Sequence, residues 1–217
     1  RQNGVGADGL IVLLPHSEYD FEWQFYNADG SEADMCGNGS RACAHYAFSN
    51  GLCGEKMSFL TGAGVIKAYV DETMVQSDLT PPVILEKAIE HNGKNYWLIN
   101  TGVPHLITFD GDIEKFDILE ARELRHRYNA NVNSAKVLSD GSIRVRTYER
   151  GVEDETLACG TGMAASFYKA FVEGSCAQSI EVHPQSGDTL YLESSENTIT
   201  FRGEVKAVFN TYVNNIS

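Results

Sequence analysis

Along the chain, apolar and polar positions alternate with a period of two in several short stretches bounded by turn residues, the pattern of strands with one buried face. Phe21-Glu22-Trp23-Gln24-Phe25 and Ile143-Arg144-Val145-Arg146-Thr147-Tyr148 show it most cleanly. Residues 10–14 form an aliphatic run, read as a buried strand after the turn-rich Gly4-Val5-Gly6-Ala7-Asp8-Gly9. Residues 57–60 and 65–70, joined at Gly62-Ala63-Gly64, predict a hairpin. Two apolar stretches within 95–109 flank Thr101-Gly102-Val103-Pro104-His105, and Asn131-Val132-Asn133 opens another strand. The last strands are expected at 179–183, at 189–192 and from 198 onward.

Three stretches break this alternation. Residues 39–49 carry Ala42, Ala44 and Ala47 and stop at Asn50-Gly51, which predicts a tightly enclosed helix. A second helix runs from Cys159 to Val172 and stops at Gly174. Residues 113–128 read as a helix with a charged outer face. Thr80-Pro81-Pro82 is the candidate linker, because paired prolines do not sit inside a central strand.

The two Ala-rich helices are copies. CGNGSRACAHYAF begins at Cys36 and CGTGMAASFYKAF at Cys159, an offset of 123. Over the ungapped window 36–64, nine positions are identical to their partners, among them Cys36/Cys159, Gly37/Gly160, Gly39/Gly162 and Cys53/Cys176. Composition alone would give about two. The chain is therefore an internal duplication with a period too long for a solenoid. It predicts two pseudo-symmetric domains facing each other across a cleft, 1–84 and 85–205, with a final strand over 206–217 free to return to the first. The same offset places the partner of the Gly102–His105 loop before Arg1, so about thirty residues that the repeat demands are expected upstream.

Composition narrows the class. The chain has 217 residues and 42% hydrophobic content, ordinary for a globular protein with a sizeable core. A net charge of −13 argues against a nucleic-acid backbone as partner. The longest aliphatic run is far short of a membrane span. Five cysteines, an odd number, with no export signal point to free thiols in a cytoplasmic setting. There is no C-x-x-C pair and the histidines are scattered, so a metal site is not expected. The sequence carries no cofactor signature either.

What remains is thiol chemistry or plain buried cysteine. A helix start offers free backbone N–H groups and a positive dipole end, which attract anions and lower the pKa of a cysteine placed there. One such cysteine reads more readily as structural. Two, equivalent under a duplication, predict opposed thiols around one carboxylate-bearing substrate, an arrangement suited to stereoinversion at an α-carbon. One thiolate removes the α-hydrogen and the opposite thiol returns a proton. Cys53, Cys176 and Cys43 are read as buried packing thiols.

NADGSEADMCGNGSRACA and ERGVEDETLACGTG closely resemble the two signature segments of the diaminopimelate epimerase family, and the similarity runs from GVGADG over nearly the whole chain. The resemblance implies a cofactor-free, two-base isomerase of LL- and meso-diaminopimelate on the route to lysine and peptidoglycan. It implies an α/β (α+β) fold of two domains, each a curved, mainly antiparallel sheet or barrel around a central helix. By position, Cys36 and Cys159 resemble the acid/base pair. Gly37, Asn38, Gly160 and Thr161 resemble the cradle for the α-carboxylate, and Glu149 the group that meets the α-ammonium. Asn27, Asn131 and Arg150 resemble the clamp on the distal amino-acid centre. Three departures stand out: Val103 replaces a common asparagine, one extra residue lies between Arg150 and Cys159, and the family's N-terminal segment is lacking.

The alternatives are the same machine acting on another amino acid or a hydroxyproline-like ring, a non-catalytic binder, and a nucleotide-binding protein. The last rests on Gly37-x-Gly39-x-x-Ala42 and Gly160-x-Gly162-x-x-Ala165. It is a weak match, because neither is expected to lead directly from a strand into a parallel βαβ unit. The partner expected is a small amino acid; oligomeric state is left open, a homodimer included.

Overall fold

The computed structural model describes residues 6–7, 9–195 and 198–211. Its strands join one continuous sheet, laid out as two copies of the same five-strand pattern meeting back to back. In the first copy, β1 (Gly9–Leu14) and β2 (Phe21–Asn27) pair antiparallel, and the chain then passes through α1 (Gly37–Ser49). It returns as β3 (Lys56–Thr61), β4 (Gly64–Asp71) and β5 (Met74–Asp78), an antiparallel meander. The second copy opens with three further strands, β6 (Val83–His91), β7 (Lys94–Asn100) and β8 (Pro104–Thr108). A 3-10 turn (Ile113–Lys115) and α2 (Ile118–Tyr128) follow.

Then the pattern repeats as β9 (Asn131–Val137), β10 (Ile143–Glu149), the short β11 (Asp154–Thr156), α3 (Gly160–Val172), β12 (Ser179–His183), β13 (Leu190–Ser195) and β14 (Thr198–Glu204). The sheet order is β1-β2-β3-β4-β5-β14-β13-β12-β10-β9-β8-β7-β6, with β11 beside β10. Most neighbours are antiparallel, as expected; β2/β3, β8/β9 and β10/β12 are parallel. Two of these parallel pairs span α1 and α3, so each of those helices lies within a parallel strand–helix–strand unit. Even so, residues 28–36 separate β2 from α1, unlike the tight strand-to-helix turn of a dinucleotide site.

Alternation decides which face is inside. In β4 the inward positions are Ile66, Ala68 and Val70, and β13 alternates as regularly. The alanines of α1 let it lie close: Cys43, Ala44 and Ala47 are buried against Phe59, Ile66 and Val70. From α3, Met163, Ala164, Phe167 and Ala170 enter the same core, so both central helices share one apolar interior. Burying a side chain such as Phe59 or Phe201 contributes about 1.5–3 kcal/mol. A smaller cluster under α2 holds Leu106, Leu124, Val132 and Tyr148.

Helix ends follow their local chemistry. Asp117 caps α2 by accepting from the N–H groups of Leu119 and Glu120 at 2.9 and 3.0 Å. Both α1 and α3 are followed by glycines at positive φ, Gly51 at 68° and Gly174 at 71°. β14, from the second copy, pairs with β5 of the first, so the inter-copy strand exchange falls at 198–204. Residues 206–211 are irregular, and the rest of the expected final strand lies outside the described residues, as does most of the Gly4–Gly9 turn. Among the described residues no helix is long and apolar enough to cross a membrane.

Candidate active site

Cys36 and Cys159 are the N-cap residues of α1 and α3, both in extended backbone. Gly37 and Gly160, one residue further, bring the helix starts into contact. A Cβ added at Gly160 would lie 3.3 Å from the Gly37 Cα and 3.0 Å from Phe201 Cε1. Any side chain there would wedge the two helix starts apart. The pair of positive helix ends is therefore aimed at one place.

The thiols are less open than the glycine-rich sequence implied: Cys36 is half-buried and Cys159 is 7% exposed. The expectation that the helix starts lower their pKa is reversed. Burial pushes the Cys36 thiol up; the Gly39 and Asn38 N–H groups and Arg41 offset this only in part, while Glu149 adds to it. Gly39 N–H donates to Cys36 Sγ at 3.3 Å. Burial also pushes the Cys159 thiol far up, Glu149 reinforces it, and the Thr161 hydroxyl and Gly162 N–H oppose it. Desolvation outweighs the hydrogen bonds donated by the helix starts at both sites. The chemical consequence favours proton abstraction: a thiolate stripped of water is a stronger base toward a weakly acidic C–H. Because Glu149 acts on both thiols and Cys36 acts on Cys159, the three groups form one electrostatic unit.

Behind Cys159 stands a buried polar network that sequence reading missed. Thr161 Oγ1 lies 3.6 Å from Cys159 Sγ and 3.0 Å from His105 Nε2. Asn133 donates from Nδ2 to His105 Nδ1 at 3.0 Å and to the Leu106 carbonyl at 3.1 Å, and its Oδ1 accepts from Thr147 Oγ1 at 2.8 Å. These partners fix the Asn133 amide, so His105 Nδ1 accepts and its one proton sits on Nε2, facing Thr161. Thr101 Oγ1 donates to the Thr161 carbonyl at 2.9 Å. Burial holds the His105 pKa down to about 3, so the ring is neutral. The only sequence signal for this network was three polar residues, His105, Asn133 and Thr147, at inward-facing strand positions.

The remaining predicted residues separate into two groups. Asn131 is buried; its Oδ1 accepts from the Arg150 N–H at 2.7 Å and its Nδ2 lies 3.4 Å from His105 Nε2. Arg150 is exposed, with Nη1 donating to the Asn129 carbonyl at 3.3 Å. Asn27 is exposed at the end of β2, where Nδ2 donates to Ser31 Oγ at 3.1 Å, and it serves the turn there. Asn38 Oδ1 accepts from Arg41 Nη2 at 2.9 Å. Cys43 is buried, and burial pushes its thiol up to about 12. Cys53 and Cys176 are half-buried rather than buried; Cys53 Sγ lies 3.6 Å from Met57 Sδ. A hollow of about 400 Å³ beside Asp20, Lys67 and Asp78 contains none of the predicted residues.

Comparison with known proteins bears on this site. The family model described as diaminopimelate epimerase matches residues 1–85 and 97–208. A diaminopimelate epimerase of Nitratiruptor sp. is 60% identical over 212 residues, 98% of this chain and 85% of that protein. One from Campylobacter lari is 52% identical, covering 99% and 86%. Among solved structures, a probable proline racemase from Agrobacterium radiobacter superposes with a TM-score of 0.76 at 15% identity, over 90% of this chain and 73% of that one. A Bacillus anthracis phenazine biosynthesis protein of the PhzF family gives 0.67 at 17% identity, over 91% and 81%. These two share the fold; the sequence matches go further, and the chain belongs to the diaminopimelate epimerase family.

Proposed function

We propose that this isomerase interconverts LL- and meso-diaminopimelate with Cys36 and Cys159 as its two bases. The observation that carries the reading is the meeting of the two duplicated helix starts at Gly37 and Gly160, each capped by a cysteine. An α-carbon seated between the thiols would lose its proton to one and regain one from the other, inverting its configuration. The leading N–H groups of Gly37, Asn38, Gly160 and Thr161 would take the α-carboxylate and hold the charge that develops as the proton leaves. Glu149 would take the α-ammonium, an assignment that fits a carboxylate whose charge acts on both thiols. The ammonium would bring a positive charge beside both thiols, which favours the thiolate form.

Asn27, Asn131 and Arg150 are assigned to the distal amino-acid centre, where a guanidinium can grip a carboxylate bidentately. Residues 1–84 and 85–205 are the two functional halves in this reading, one thiol from each. Five free cysteines fit a reducing cytoplasm, where the product would feed lysine and peptidoglycan formation. The test is exchange of α-hydrogen for deuterium in D₂O with LL- and meso-diaminopimelate, with proline and hydroxyproline as comparison substrates. Deuterium at the α-carbon of both diaminopimelate isomers is expected. Exchange confined to the ring amino acids would replace the substrate assignment.

A further inference from the structure

Arg41 is a buried charged group that the two-base scheme leaves unused. It lies on α1, one turn after Cys36, and is only 6% exposed. Nη2 donates to Asn38 Oδ1 at 2.9 Å, Nη1 donates to the Glu204 carbonyl at 3.3 Å, and Nε is buried without a partner. The guanidinium lies over the Phe201 ring, 4.4 Å from its centroid. Among the described residues no carboxylate comes within ion-pair distance of it. Burying a cation this way costs several kcal/mol unless an anion offsets it. The anions that act on it are, in order, the Cys36 thiolate and Asp188. Burial brings Arg41 itself down to about 10, still charged at neutral pH.

Space has been cleared for this side chain. A Cβ at Gly203 would lie 2.6 Å from Arg41 Nη1 and 2.2 Å from Leu190 Cδ2. The duplication supplies the control, because the position equivalent to Arg41 on α3 is Ala164, fully buried and uncharged. The charges facing Cys36 are Arg41 on its own helix, Glu149 from β10 and Cys159 from α3; those facing Cys159 are Glu149 and Cys36. Among the described residues, a cation acts on Cys36 and none acts on Cys159.

We infer that Arg41 is a positioning residue that makes the two thiols unequal: it biases Cys36 over Cys159 toward the thiolate and holds the Asn38 amide at the carboxylate cradle. This rests on the two-thiol reading above, but its readout does not require turnover. The experiment is alkylation of the intact protein by iodoacetamide as a function of pH, with each cysteine followed by peptide mass mapping. In the wild type, Cys36 should reach half-maximal reactivity at a lower pH than Cys159. Arg41→Met should raise the Cys36 midpoint by about one pH unit and leave that of Cys159 in place. Arg41→Met should also raise KM; Arg41→Lys should restore most of the midpoint but not KM, because an ammonium lacks the planar fork that spans Asn38 and Glu204.

A wild-type order with Cys159 first would overturn the inference, whether or not either variant folds. So would a folded Arg41→Met protein with an unchanged Cys36 midpoint. Absence of α-hydrogen exchange together with the expected midpoints would count against the substrate assignment alone.

Discussion

Ser77 and Phe201 face each other in the β5–β14 pair, and each is the duplicate of the other. The registers establish this. Lys56 pairs with Tyr69 where Ser179 pairs with Glu193, and Tyr69 pairs with Gln76 where Glu193 pairs with Thr200. The approximate two-fold axis therefore passes through β5 and β14, beside the Gly37–Gly160 contact that Phe201 also touches. The same comparison sets Phe21↔Phe59 against Ile143↔Val182, which makes the offset between β2 and β10 one residue smaller than that between α1 and α3. An extra residue thus sits between β10 and α3, and it makes Asn27 and Glu149 equivalent ends of equivalent strands. One copy ends its strand in a neutral amide and the other in a carboxylate, so the symmetric frame carries an asymmetric charge.

The thiol pair gives the sharpest prediction. Cys36→Ala or Cys159→Ala should each lower epimerisation by at least about a thousandfold, because inversion needs a base on one face and an acid on the other. Cys53→Ala and Cys176→Ala should keep most turnover, since both thiols pack at helix-to-strand connections away from the cradle. Rates for the four variants, each checked for a wild-type melt, decide it. A folded Cys53→Ala protein as inactive as Cys36→Ala would overturn the division of the cysteines.

A second prediction concerns Gly162. A Cβ there would lie 2.4 Å from Asn133 Oδ1, 3.1 Å from Thr147 Oγ1 and 3.2 Å from His105 Cε1. These atoms belong to buried side chains linked by hydrogen bonds, so Gly162→Ala should destabilise the protein by about 1–3 kcal/mol and disturb Thr161 beside Cys159. Gly54→Ala is the matched control, because nothing lies within 4 Å of its added Cβ. Urea melts of the two variants test this; equal midpoints would show that the network has more slack than its geometry implies.

Most of the strand pattern was legible because burial alternates so regularly in β2, β4 and β10, and both central helices were legible from their alanines and terminal glycines. β6 was not. Only Ile89 is buried along it, its register shifts twice, and Ala88 has a φ of 59°, so no period of two survives in the sequence. β5 was missed because polar Ser77 occupies one of its inward positions, and β11, at three residues, is too short to show a period. The cysteine pair was visible because duplication wrote it twice. Arg41 and His105 were invisible as site residues because their meaning comes from distant partners: Gly203 and Phe201 for one, Asn133 and Thr161 for the other. The reversal of the thiol pKa shifts has the same origin, since sequence places a helix start but does not say how deeply it is buried.

His105 also predicts a pH dependence of stability. Its ordinary value is 6.5 and burial lowers it to about 3 in the folded protein. Between those two values the unfolded chain binds the proton and the folded protein does not, so the stability is fully present above pH 6.5 and is lost as pH falls toward 3. The slope from this one group approaches about 1.4 kcal/mol per pH unit. His105→Gln should be less stable at pH 7, through lost packing and hydrogen bonds, yet fall off less steeply below pH 6. Chemical denaturation of both proteins from pH 7.5 to 4.5 supplies the comparison. Parallel curves would show that His105 does not stay neutral.

Arg150 allows substrate choice to be separated from catalysis. Its backbone N–H is tied to buried Asn131 while its side chain is exposed, held at Nη1 by the Asn129 carbonyl. Removing the guanidinium should therefore leave the melt unchanged. If it grips the distal carboxylate, Arg150→Met should lower kcat/KM for diaminopimelate by about ten- to a hundredfold, the worth of a hydrogen-bonded charge. The loss should lie mainly in KM, because the bond is made equally in ground and transition states. An amino acid lacking the distal centre should react slowly with both proteins and be insensitive to the substitution. Steady-state kinetics with both substrates make the comparison. An equal fall for both would place Arg150 at the reacting centre, and no fall for either would remove it from the clamp.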